Sequence, residues 1–187
     1  MSVKKLFFSS LLSLSILHAQ NTIGLNINSD DLEVLAAMNL NTFADYSDST
    51  TYVIDASYLH TDGDNLSTLG LSGENTFQGV EGLALAFGAK LVFADNFFAL
   101  PLFGRASYAL PLNDSIPTTS ISTSLAYAPS VLSFSDAESY TEFRIEAGME
   151  IISNIHLFTG YRNIDTEYNR YDKTFNDSFY GGMKLSF

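Results

Sequence analysis

Hydrophobic and polar side chains alternate along most of this chain. From Gly82 to Phe93, Leu83, Leu85, Phe87, Ala89, Leu91 and Phe93 share one face of an extended strand, against Ala84, Ala86, Gly88, Lys90 and Val92. Phe98 to Leu110 repeats the scheme, with Phe98, Leu100, Leu102, Ala106, Tyr108 and Leu110 opposite Arg105 and Ser107. Tyr52, Ile54, Ala56 and Tyr58 oppose Asp55 and Ser57, and Ile121, Thr123, Leu125 and Tyr127 oppose Ser122, Ser124 and Ala126. In Glu142 to Ile151 an apolar row (Phe143, Ile145, Ala147, Met149, Ile151) faces away from Glu142, Arg144, Glu146, Gly148 and Glu150. The last strand puts Phe179, Gly181, Met183, Leu185 and Phe187 on one side and Tyr180, Gly182, Lys184 and Ser186 on the other. Helical periodicity is almost absent.

These runs predict strands at about 22–28, 31–41, 51–60, 65–73, 80–93, 97–109, 119–127, 139–151, 154–163 and 177–187. The apolar face could belong to a sandwich core or to a lipid-facing barrel wall, and the charges decide between them. Lys90, Arg105, Arg144, Arg162 and Lys184 all fall mid-strand on the non-apolar face, as do Asp55, Glu142, Glu146 and Glu150. A wetted sandwich exterior has no need to concentrate scarce cations there. An enclosed bore does, because charges withdrawn from bulk water must be paired. The expected fold is therefore all-β: a transmembrane antiparallel β-barrel of about ten strands, with eight as the alternative. An even count puts both termini on the periplasmic side. Ser153-Asn154 then becomes a tight periplasmic turn and Leu110 to Thr118 a longer one. His60 to Asn65, Ala128 to Glu138 and Ile164 to Asn176 become outward loops. Tyr52, Tyr58, Tyr108, Tyr127, Tyr140, Tyr161 and Tyr180 are expected in interfacial girdles.

The N-terminus adds a compartment. Lys4 and Lys5 precede the apolar run Leu6 to Ile16 and a small residue, Ala19. This is the pattern of a cleaved signal peptide, residues 1–19, too short to span a membrane as a helix of about 20 residues. Residues 20–187 are then a single barrel domain. Cysteine is absent, so disulfides and thiolate metal sites are excluded. Charged residues make up 16% of the chain, well below the usual quarter, although 46% is hydrophobic. The net charge of −12 excludes nucleic acid as a natural partner. The acidity reads as solvated loops, or as an outer rim bridged through divalent cations to anionic lipid headgroups.

Several segments carry a family resemblance: Tyr127-Ala-Pro-Ser-Val-Leu-Ser-Phe134, Tyr140-Thr-Glu-Phe-Arg144, Phe158-Thr-Gly-Tyr-Arg-Asn-Ile164 and Phe175-Asn-Asp-Ser-Phe-Tyr180 with the ending that follows. Together they resemble the YfaZ-type outer-membrane proteins of Gram-negative bacteria. The resemblance implies a barrel in that membrane and supplies no catalytic signature. The aromatic ending, with Phe179, Met183, Leu185 and Phe187 on one face, also resembles the C-terminal signal read by the barrel-insertion machinery.

Catalytic chemistry finds little support. His60 and His156 fall at opposite ends of their strands, so a shared nucleophile–histidine–acid site would have to bridge a band about 25 Å tall. Glu142, Glu146 and Glu150 recur every four residues, about 13–14 Å apart in an extended strand. That is too far for an acid–base pair but suits a ladder of ion pairs with Arg105, Arg144, Arg162 and Lys184. Asp62-Gly-Asp64-Asn65 has calcium-like composition without a following ligand set, and reads as a turn. No cofactor or metal is expected. The expected role is structural or that of a narrow pore in a monomeric barrel, with outer-membrane lipids and lipopolysaccharide as partners. The alternative is a lipid-modifying enzyme or ligand-binding barrel acting through outer loops. A secreted soluble β-sandwich is the third possibility.

Overall fold

The computed structural model describes residues 21–43, 49–112 and 117–187. The expected signal peptide lies outside the described residues, as does part of the 110–118 connection. The strands are β1 (Thr22–Ile27), β2 (Asp31–Asn39), β3 (Thr51–Thr61), β4 (Asp64–Thr76), β5 (Leu83–Ala94), β6 (Phe97–Ala99), β7 (Leu102–Ala109), β8 (Thr119–Ala128), β9 (Ser133–Ser135), β10 (Ala137–Ile152), β11 (Ile155–Tyr168) and β12 (Tyr171–Ser186). Each pairs antiparallel with its neighbours, and β12 returns to pair with β1. Pro101, which has no N–H to donate, separates β6 from β7, yet both keep one register against β5, with Val92 opposite Ala99 and Ala89 opposite Leu102. β8 and β9 likewise follow one line beside them, interrupted by Pro129 and a 3-10 turn at Ser130–Leu132. The segments therefore close as a ten-stranded antiparallel barrel.

The ends of the barrel differ. At the end away from the chain termini the hairpins are tight. Asp62 and Gly63 both have positive φ (46° and 86°), as a two-residue hairpin turn requires. Asn28 caps another turn, its side-chain oxygen accepting from the N–H groups of Asp30 (2.8 Å) and Asp31 (2.7 Å). The expected loop at Ile164 to Asn176 is not a loop: β11 runs to Tyr168 and β12 resumes at Tyr171, leaving only Asn169 and Arg170 between them. The expected loop at Ala128 to Glu138 contains the 3-10 turn, β9 and the start of β10.

The reason is a reversal of polarity along β10–β12. Lower on these strands, Ile145, Met149, Leu157, Phe179 and Met183 point outward and are exposed. Higher up, the outward positions are polar (Ser139, Thr141, Asn163, Asp165, Glu167, Asp172, Asp177), while Tyr140, Ile164, Tyr168 and Phe175 point inward and are buried. Period two continues across the change, but the apolar face moves from the outside to the inside. A bulge between Ile164 and Asp165 lets the successive residues Phe175 and Asn176 both bury.

That upper end holds a dry core of Leu59, Leu66, Val92, Phe97, Ala99, Ala126, Ala128, Ala137, Tyr140, Ile164, Tyr168 and Phe175. Elsewhere the outer wall is apolar. On β5 it runs from Leu83 to Phe93, about 33 Å along the strand and about 25 Å of height at a tilt near 40°, matching a membrane's apolar band. Outward Phe93, Phe98 and Phe134 stack in series with centroids 5.0 and 5.3 Å apart. Tyr140 and Tyr180, expected in the girdles, instead face inward at 0% and 3% exposure.

Truncating the dry core should cost far more than truncating the polar wall around it. Ile164→Ala is expected to lose about 2–4 kcal/mol, and Asp165→Ala no more than about 0.5 kcal/mol, in urea unfolding of the detergent-solubilised barrel followed by circular dichroism.

Candidate functional site

Below the dry core, charged side chains from strands that are not neighbours meet across the bore. Glu33 of β2 is at its centre and is fully buried. Its carboxylate accepts both terminal guanidinium nitrogens of Arg144 on β10 (2.9 and 2.7 Å), Nη1 of Arg162 on β11 (2.6 Å) and the amide of Asn26 on β1 (2.6 Å). Alternation within β2 aims Asp31 and Glu33 inward while Leu32 and Val34 face out. Arg144 also donates from Nε to Glu142 (2.5 Å). The other oxygen of Glu142 takes the Lys90 ammonium, from β5, and the Tyr140 hydroxyl (2.6 Å).

Arg162, 0% exposed, also donates to Asn176 (2.8 Å) and, at 3.3 Å, to Asp31, and stacks over the Tyr180 ring. Asp31 accepts further bonds from Asn28 (2.6 Å), Asn176 (2.9 Å) and Ser178 (2.6 Å). Lys90–Glu142–Arg144–Glu33–Arg162–Asp31 is thus one continuous chain of ion pairs tying β5, β10, β2 and β11 together through the interior. A second pair, Lys184 to Glu146 (2.7 Å), lies nearer the termini, and Glu146 also accepts from the Tyr180 hydroxyl (2.9 Å). Two glycines make room for it. A Cβ on Gly160 would fall 2.9 Å from the Tyr180 ring, and one on Gly182 would fall 2.5 Å from the Phe158 ring. These rings cover the glycines of the facing strand, and Lys184 sits 4.3 Å over the Phe158 ring.

The remaining sequence candidates are placed differently. Arg105 reaches Glu74 of β4 only at 3.9 Å. Asp55 lies against Gly70, where a Cβ would fall 2.8 Å from its carboxylate oxygens. Glu150 stands apart from the chain of ion pairs and accepts the Asn154 N–H of the turn (3.2 Å). Of the expected ladder, Glu142–Arg144 and Glu146–Lys184 form, whereas Arg144 and Arg162 also reach across the bore to Glu33 as a brace and Glu150 takes no part. Asp31, Glu33 and Glu74, which the sequence reading passed over, supply the missing anions. The signal was available in Asp31-Leu-Glu33-Val, whose charges alternate with apolar residues as they do in β10. At the hairpin rim, Lys173 of β12 bonds to Asp64 of β4. His60 bonds to Asn65 (2.8 Å) at the hairpin end of β3, whereas His156 stands near the other end, on β11.

The strands and the bore together define a closed antiparallel β-barrel with an apolar outer belt and an internally paired interior. The family profile described as YfaZ precursor matches residues 3–187, and the chain belongs to that family. Among curated proteins none matches it. A solved structure described as a bacterial polysaccharide outer membrane secretin is similar at 12% identity and a TM-score of 0.51, over 89% of this chain. The chain spans 57% of that protein's length. The NanC porin (8% identity, TM-score 0.47, 90% of this chain and 98% of that one) and the KdgM porin (8%, 0.44, 90% and 99%) are also similar.

Removing one end of the brace should hurt more than removing a neutralised pair. Lys90→Met, which leaves the ion-pair chain with three carboxylates against two guanidinium groups, is expected to lose about 3–5 kcal/mol of unfolding free energy. Lys90→Met/Glu142→Gln should regain at least half of that loss, because no excess buried carboxylate remains. Urea titration of the three proteins in one detergent reads the difference.

Proposed function

We propose that this protein is an integral barrel of the bacterial outer membrane with a structural role, its bore closed in the resting state, and without catalytic chemistry. The observation that carries this reading is the buried ion-pair chain across the bore, capped by a dry apolar core. Arg162 and Glu33, neither with exposed surface, support a bore closed at that level. The outer-membrane assignment rests on the apolar belt, the exposed aromatic ending Phe179, Met183, Leu185 and Phe187, and membership of the family. That ending is the segment proposed to engage the insertion machinery, and the belt is proposed to meet outer-membrane lipids and lipopolysaccharide as a monomer. His60 and His156 lie at opposite ends of the wall, which argues against a shared histidine-dependent site.

A narrow, gated pore is the second reading. It is favoured by Arg105 and Lys184, which face the bore yet keep 35% and 32% side-chain exposure.

The purified protein is expected to fractionate with outer membranes, to migrate faster unheated than boiled, and to give no steady conductance in a planar lipid bilayer. Recovery as a soluble, heat-indifferent protein would overturn the membrane assignment. Persistent open-channel current would overturn the structural role in favour of the pore.

A further inference from the structure

Exposure of inward-facing residues measures how far water enters the bore, and here it is graded from end to end. Toward the termini, Arg105 and Lys184 are about one-third exposed, and Ser107, Ser120, Ser122 and Ser124 are half-buried although they face inward. At the level of the brace, exposure falls to 15% for Arg144, 13% for Lys90 and 4% for Glu142. Beyond it, Leu59, Val92, Ala99, Ala128, Tyr140 and Ile164 have none. The small serines of β7 and β8 leave room beside the neighbouring sector of β10–β12, which carries Arg144, Phe158 and Tyr180. Ser124 stands between Arg105 and Arg144 in the cross-strand register, so the wetted space reaches the foot of the brace.

The dry core also lies in the part of the wall whose outer surface on β10–β12 is polar. Asn163, Asp165, Glu167, Asp172 and Asp177 suit water and not hydrocarbon, whereas Phe179, Met183 and Leu185 below them suit lipid. Core and polar wall together have the inside-out pattern of a soluble β-protein.

We propose that the bore is a blind vestibule, entered by water and small solutes from the termini end and ending at the brace. Its permeability seal is the apolar core at the opposite end, a collar whose β10–β12 side stands clear of the bilayer while Phe93, Phe98 and Phe134 keep its β5, β6 and β9 side within the apolar belt. This inference rests on the membrane reading above. The buried charges lie where the outer wall is apolar all round and pairing is obligatory, and the apolar seal lies where the outer wall of β10–β12 can face water.

The absence of native cysteine makes the test clean. Ser124→Cys, Ala99→Cys and Glu167→Cys are small or surface changes, each checked for heat-modifiable mobility after reconstitution in one orientation into phosphatidylcholine–phosphatidylglycerol vesicles. Each is treated with a membrane-impermeant methanethiosulfonate from either side. Ser124→Cys is expected to react from the termini side alone, Glu167→Cys from the opposite side alone, and Ala99→Cys from neither. Reaction of Ser124→Cys from both sides or from neither would overturn the blind vestibule, and so would reaction of Ala99→Cys. Protection of Glu167→Cys would overturn the collar. Vesicle flotation separates the two failures: protein that does not float sinks the membrane reading itself, whereas protein that floats with the wrong labelling sinks only this inference.

Discussion

A charge enclosed in a narrow barrel has to find an opposite charge, and in this protein the nearest one is usually on a distant strand. Glu33 is held by guanidinium groups from β10 and β11, although β1 and β12 lie between β2 and β11 in the wall. Antiparallel ladders hold each strand only to its immediate neighbours. The ion-pair chain supplies the links across the cylinder. Breaking one such link leaves an uncompensated charge in a poorly solvated interior, at a cost of about 3–5 kcal/mol. That cost also specifies the register: a shift of one residue would turn Glu33, Arg144 and Arg162 to the apolar outer face.

The same constraint orders the interior along its length. Where the outer wall is apolar, the inner wall can hold polar groups, provided they are bonded to one another. Where the outer wall of β10–β12 becomes polar, the inner wall becomes apolar, and the strand packs as it would in a soluble protein. Tyr140 stands at the junction: its ring lies 6.1 Å from Phe97 of the dry core, and its hydroxyl bonds to Glu142 of the brace. The aromatic–glycine pairs Phe158–Gly182 and Tyr180–Gly160 do related work lower down, filling width that the small residues leave.

The wall strands were largely legible in the sequence, because period-two alternation with apolar outward rows survives in every one of them. The upper halves of β11 and β12 were not. Asp165, Glu167 and Asp172 among aromatic residues read as a charged loop, since the outward row had stopped being apolar although the alternation had not stopped. The same rule misassigned Tyr140, whose position near a strand end suggested an interfacial girdle. Pairing within the site was less legible than placement. Sequence spacing put Glu142, Glu146 and Glu150 in one row, but which cation reaches which anion depends on barrel closure and strand stagger. These bring β2 opposite β10 and leave Glu150 beside a turn.

Glu33 and Arg144 stabilise the barrel as a pair acting across its bore. A double-mutant cycle on unfolding free energy, with Glu33→Gln, Arg144→Met and the two combined, measures this directly. Each single change is expected to cost about 3–5 kcal/mol, and the double change at least about 1.5 kcal/mol less than their sum. Additivity within about 0.5 kcal/mol would show that the two residues act independently, and would contradict that pairing.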